Sequence, residues 1–327
     1  MQNNGYLFIC LLKKLLIFQC VSILTIFTWK YNINDVSLVP ELMDRMTSID
    51  NIQEIKSLIS LLDDPDEEII RPVIKEIMAR GAVITPWLEE ALSQSDDPLF
   101  KKRVQQLIRD LHFEAIKTRL EKWMAMGQEN LLLGALIIAR YQYPTLKEET
   151  IIRHLGHITQ DIYLRIKEDL SPMEKIQIVN SVLFDDYEFF GNKRDHLSPP
   201  CYYLNMVFDT GKGNHLSLGI VYILVARSLG IPVVGVNLPE YFFLGYQEND
   251  KMLFYINPFS KGNTLSQNEL LFFLKLAEVD VSQQRIEPAD NRIIIQRLIS
   301  GLIQAYLRVN KPEKAADLKK LLEVVGP

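Results

Sequence analysis

Residues 205–262 constrain the fold of this chain more than any other stretch. Gly213-Asn214-His215 opens an unbroken apolar run, Leu216 through Leu229, which stops at Gly230-Ile231-Pro232. Glycine and proline end a helix for separate reasons, so the run predicts one helix with a fixed start and stop. Two strand-like segments follow. The first is Val233-Val234-Gly235-Val236, continuing to Tyr241-Phe242-Phe243-Leu244; the second is Leu253-Phe254-Tyr255-Ile256-Asn257-Pro258-Phe259. The expectation is an α+β core, with the helix starting at His215 and packed against a small antiparallel sheet.

This order resembles the transglutaminase-like fold, in which Gly-x-Cys begins the helix and Gly-Ile-Pro ends it. In that family a His on the next strand and an Asp in an Asp-Pro pair on the strand after it complete a catalytic triad. Counting back from Gly230-Ile231-Pro232 sets His215 at the Cys position, Tyr241 at the His position and Asn257 at the Asp position. A narrower resemblance, to SirB-type bacterial proteins, rests on several phrases. They are Phe190-Gly191-Asn192, Tyr203-Leu204-Asn205, Gly213-Asn214-His215-Leu216-Ser217-Leu218, Gly235-Val236-Asn237-Leu238-Pro239, Phe242 and Ile256-Asn257-Pro258-Phe259. It covers roughly residues 115 to 325 and implies helices before the core and a tetratricopeptide-like tail after it. In that subgroup the nucleophile position is commonly not Cys, while a His often survives before the strand Phe; Tyr241 departs even there.

The replacements matter chemically. A cysteine attacks as thiolate, which a helix N-terminus and a neighbouring imidazole favour. Asn257 could still orient an imidazole, but Tyr241 neither accepts a proton near neutral pH nor forms an imidazolium. His215 would need a nucleophile beside it, and Ser217, two residues on, points about 200° away on a helix. Cys201 could be a relocated nucleophile or a half-buried thiol beside Pro199-Pro200, and the sequence places no base next to it. Asn214, Ser217, Asn237 and Cys201 are the candidate lining of a remnant groove that binds a peptide or acidic group. The competing expectation is a filled site, with the Tyr241 ring packed over the vacant triad.

A net charge of −5 argues against a general nucleic-acid footprint. Of three cysteines, Cys10 and Cys20 lie in an N-terminal apolar stretch, which leaves Cys201 alone and no disulfide framework. That stretch, residues 6–29, is interrupted by Lys13-Lys14. It admits three readings: a membrane anchor, a signal segment, or an extension upstream of a start at Met43 or Met46. The body is expected in the cytoplasm, the alternative being anchorage through residues 6–29.

Two Asp-Asp-Pro units, Asp63-Asp64-Pro65 and Asp96-Asp97-Pro98, stand 33 residues apart. Each ends one helix and opens the next, because Asp caps a helix and Pro tolerates its first turn. Residues 46–112 are therefore expected to form HEAT-like helical hairpins, with Trp87 buried between them. The remaining division is a leader over 1–45, the transglutaminase-like core with its leading helices over 113–288, and a helical pair over 289–327. Ser171-Pro172-Met173-Glu174 is a helix start. His112, His154 and His157 lie on the leading helices; His154 and His157 share a face but lack a third ligand, and are expected to be ordinary surface histidines. Gly211-Lys212-Gly213 lacks the spacing of a phosphate loop and is expected to be a flexible turn. No metal or cofactor is expected. The functional expectation is a catalytically degenerate scaffold for a protein or peptide; its rival is an amide hydrolase or acyltransferase with a displaced nucleophile.

Overall fold

The computed structural model describes residues 49–167, 169–279 and 286–326. The leader, with Cys10, Cys20, Met43 and Met46, lies outside the described residues.

Helices α1 (Ile49–Ser60), α2 (Glu67–Arg80), α3 (Thr85–Gln94) and the first half of α4 (Pro98–Ala125) pack around one core. Ile59, Leu62, Ile77, Leu88, Val104 and Leu111 meet in its core. The second Asp-Asp-Pro unit does what its residues dictate: the Asp97 carboxylate accepts the Leu99 and Phe100 N–H groups, and Pro98 takes the first helical position. The first unit is displaced. Asp66, not Asp64, caps α2 by accepting the Glu68 N–H at 2.8 Å, and Pro65 stays in the turn. Trp87 also departs from expectation, being only partly buried. Leu88 takes the inward position on α3, and one residue turns the helix by about 100°, which carries Trp87 to the rim.

The boundary expected near residue 112 falls inside one continuous helix. Phe100, Val104, Leu107 and Leu111 of α4 serve the first core, while Ile116, Leu120 and Trp123 serve the main one. Helices α5 (Leu131–Gln142), α6 (Glu148–Tyr163) and α7 (Pro172–Asn180) follow. Almost every residue of α5 is buried, and α7 opens on a capping box in which Ser171 and Glu174 satisfy each other's backbone N–H. A π-helical turn, Ser181–Asp186, extends α7.

Strand β1 (Phe190–Gly191) pairs in parallel with β2 (Lys212–Gly213), and α8 (Leu204–Thr210) lies between them in sequence. Gly211-Lys212-Gly213 is thus part of a small ladder rather than a flexible turn. Gly211, at φ 70°, caps α8. Helix α9 (His215–Ser228) is buried from Leu216 through Ala226. It ends in a Schellman motif: the Ile231 N–H reaches the Ala226 carbonyl and the Gly230 N–H reaches that of Arg227.

Strands β3 (Val233–Asn237), β4 (Phe242–Glu248), β5 (Lys251–Asn257), β6 (Asn263–Leu265) and β7 (Pro288–Ala289) form an antiparallel sheet in the order β6-β5-β4-β3-β7. Side chains alternate across it. Val233, Phe242, Leu244 and Ile256 join the α9 core, while Val236, Phe243 and Tyr255 pack with Leu270 and Leu274 of α10 (Gln267–Leu276). A β-carbon on Gly219 would come within 2.8 Å of the Phe242 ring, so helix and sheet meet at this closeness only because Gly219 has none.

Helices α11 (Asn291–Arg308) and α12 (Pro312–Val325) close the molecule. They contribute Leu298, Leu302, Leu318 and Leu321 to the same core as α9. The Tyr306 hydroxyl donates to Gln142 Oε1 at 2.9 Å and lies 2.9 Å from the Tyr203 hydroxyl. Among the described residues no helix is long and apolar enough to cross a membrane.

Candidate functional site

The α9 N-terminus is built from the residues expected to line a groove, and it uses them up. Asn214 Oδ1 accepts the N–H groups of Leu216 and Ser217, each at 2.9 Å. Ser217 Oγ accepts the Asn214 N–H at 3.0 Å and donates to the Cys201 carbonyl at 2.6 Å. Asn214 and Ser217 are each 1% exposed. The Cys201 thiol is buried as well, 3.4 Å from both Asn192 Nδ2 and the Asp195 carbonyl oxygen. Three of the four groove candidates are therefore an internal brace, which corrects that expectation. The cause is elementary: the first backbone N–H groups of a buried helix must find acceptors, and these side chains supply them. Asn237, the fourth, accepts from Arg297 Nη1 at 2.6 Å.

His215, the first residue of α9, is half-buried among aromatic rings. Its imidazole centroid lies 5.7 Å from that of Tyr241, 5.5 Å from Phe259 and 5.7 Å from His196. The Tyr241 ring continues the cluster to Phe273 at 5.3 Å. His215 and Tyr241 thus come together across 26 residues of sequence. Asn257 lies on the neighbouring strand β5, and its amide oxygen is engaged locally. Its Oδ1 accepts the N–H groups of Phe259 at 3.1 Å and Ser260 at 3.3 Å, capping the 3-10 turn Pro258–Ser260. An Asn directly before Pro at a turn finds these local donors first. Phe259, two residues on, puts its ring against His215.

His196 was not visible as a site residue. It lies in the loop after β1, where no period links a residue to the α9 start 19 positions later. The close packing of Phe259 did leave a trace, in the Gly of Phe190-Gly191-Asn192. A β-carbon on Gly191 would meet the Phe259 ring at 2.5 Å. Gly191→Ala is expected to cost about 1–3 kcal/mol by forcing that ring aside. Urea midpoints measure the cost, and a shift in the His215 imidazole NMR signals reports the displacement.

Electrostatics set the character of the site. Burial first, then the electrostatic influence of Arg297 and His196, pushes the His215 pKa down from 6.5 to about 4. The imidazole is neutral at neutral pH. Burial likewise lowers the Arg297 pKa. The cluster thus offers a neutral base and aromatic faces, with the Tyr241 phenol as its one neighbouring hydroxyl among the described ring contacts. Elsewhere, His112 Nε2 lies 2.9 Å from the Arg140 carbonyl, and His154 and His157 are exposed on α6. Among the described residues no three His, Cys, Asp or Glu side chains gather to hold a metal ion.

Comparison with known proteins bears on the family and the fold. Residues 149–300 match the model of the transglutaminase-like superfamily. A UPF0162 protein of Xylella fastidiosa is 31% identical over 57% of this chain and 68% of its own length. Protein SirB1 of Salmonella typhimurium is 23% identical over 61% of this chain and 73% of its own. UPF0162 protein YchA of Escherichia coli is 25% identical over 52% and 68%. No solved structure matches the chain. With this helix-on-sheet core, and with relatives aligned over two thirds of their length, the chain belongs to the SirB-type group of transglutaminase-like proteins.

Proposed function

We propose that this chain is a catalytically degenerate transglutaminase-like protein that binds a protein or peptide partner, with HEAT-like and tetratricopeptide-like helices flanking the core. The observation that supports this reading is the packing of His215, Tyr241 and Phe259 rings where a nucleophile and its base would have to meet. Ser217 and Cys201, the two displaced nucleophiles worth weighing, are buried and engaged within the fold. A cytoplasmic setting goes with it, since Cys201, the single cysteine among the described residues, is unpaired.

The test is turnover. Amine incorporation into glutamine donors and hydrolysis of peptide amides should stay at background, and Cys201→Ala should change nothing. A Cys201-dependent activity would overturn the reading. The positional assignment has its own check in a His215→Cys, Tyr241→His double variant. The helix N-terminus, the Arg297 charge and the new imidazole all favour a thiolate there, so the thiol should titrate at least about one unit below the ordinary ~8.5. Thiolate absorbance against pH measures it. An unshifted or raised midpoint would mean that His215 and Tyr241 do not stand at the nucleophile and base positions.

A further inference from the structure

A recess lined in part by Phe259 is strongly basic. Its volume is about 690 Å³, within the span of ligand-holding clefts. One wall is β1 and the residues after it, Phe190 to Arg194, with Lys212 from β2; the other is Phe259, Ser260 and Lys261. Four cations, Lys193, Arg194, Lys212 and Lys261, line it without one carboxylate, in a chain whose net charge is −5. Lys261 makes an exposed ion pair with Asp185 at 3.2 Å. Lys193, Arg194 and Lys212 have no ion-pair partner among the described residues. Lys212 Nζ sits 5.9 Å from the centroid of the Phe190 ring, and that ring is 41% exposed. The recess therefore combines unneutralised positive charge with bare aromatic surface.

Its Phe259 wall is held in place from behind. The ring rests on Gly191, which allows the approach because it has no β-carbon. The turn carrying the ring is fixed by Asn180, whose Nδ2 donates to the Gly262 carbonyl at 2.8 Å and whose Oδ1 accepts from the buried Tyr222 hydroxyl at 2.9 Å. A held aromatic wall beside lysine and arginine side chains suits a ligand that is anionic and partly apolar.

We propose that this recess binds an acidic peptide segment, its carboxylates met by Lys193, Arg194, Lys212 and Lys261 and an apolar side chain laid against Phe190 and Phe259. The proposal rests on the binding reading above and names the chemistry of the partner. Charge complementarity selects an anion, and the aromatic walls select one with apolar side chains. A single nucleic-acid strand fits worse, because it needs a basic groove that tracks many phosphates. Here the cations are confined to one recess, with Asp185 and Asp186 just before β1.

The experiment uses the whole chain and a fluorescein-labelled peptide alternating Glu and Leu, followed by polarisation. The same peptide with Gln for Glu and an oligo-dT of similar length are the comparison probes. The Glu peptide should bind more tightly than the Gln peptide, and raising the salt should weaken it. A Lys193→Glu, Arg194→Glu variant should lose about tenfold in affinity. A Lys102→Glu, Lys319→Glu control, altered on distant exposed helix positions, should lose less than about twofold. Equal losses in the two variants, equal affinity for Glu and Gln peptides, or tighter binding of oligo-dT would each overturn the proposal. Circular dichroism of both variants excludes misfolding, and Lys212→Glu alone provides a second, independent loss. Mass spectrometry of the peptide afterwards separates the two ideas. A bound but cleaved peptide ends the non-catalytic reading and leaves the recess standing; an unbound, intact peptide does the reverse.

Discussion

Acidification from about pH 7.5 to about pH 4 should remove about 3 kcal/mol of folding stability through His215 alone. In the folded protein its pKa is pushed from 6.5 down to about 4, by burial first and then by the electrostatic influence of Arg297 and His196. Between those two values the unfolded chain holds a proton on this imidazole and the folded chain does not. Stability therefore rises with pH across that window. The contribution is complete above about 6.5, is lost as the pH falls towards about 4, and changes no further below it. His112, lowered mainly by burial, acts in the same direction. Urea midpoints measured at intervals from pH 7.5 to pH 4 give the slope. His215→Phe keeps a ring against Tyr241 and Phe259 but cannot titrate, so it should flatten most of the slope. An equal slope in wild type and variant would show that the His215 ring is not sequestered in this cluster.

That cluster also marks how far the sequence could be read. The start and end of α9 were legible because Gly213-Asn214 and Gly230-Ile231-Pro232 act through local rules, capping and the left-handed conformation of glycine. The adjacency of His215 and Tyr241 followed from laying those signals on a known arrangement of helix and sheet. Asn257 shows what such counting leaves out. Its place on β5 fits, and its amide oxygen also caps the turn after Pro258, a local role that no count of positions reveals. His196 and the basic recess were hidden for another reason. Lys193, Arg194, Lys212 and Lys261 come from three separated segments, and only the pairing of β1 with β2 and the packing of Phe259 on Gly191 gather them. Trp87 failed by a single residue, since an apolar stripe tells which face is inward but not which of two neighbours holds its centre.

The other large effect expected is on stability alone. Glu148, the first residue of α6, is 1% exposed and lies between two arginines. Its Oε1 accepts from Arg119 Nη2 at 3.2 Å and from Arg140 Nε, so α4, α5 and α6 are tied at one carboxylate. Its position at a helix N-terminus also favours negative charge. Glu148→Ala leaves two guanidinium groups facing each other without a counter-charge. Removing one member of a buried pair costs about 3–5 kcal/mol, and the lower end applies because both arginines keep some contact with solvent. Glu148→Gln keeps an acceptor and should lose less. A triple variant, Glu148→Leu with Arg119→Met and Arg140→Leu, should recover most of the loss, because no stranded charge remains. Chemical denaturation of the three proteins gives the ranking: alanine lowest, glutamine between, the apolar triple near wild type. If the alanine variant matched wild type, the carboxylate would not be tying the three helices together. If the triple variant fell below it, the ion pairs themselves, rather than the stranded charge, would be what holds them.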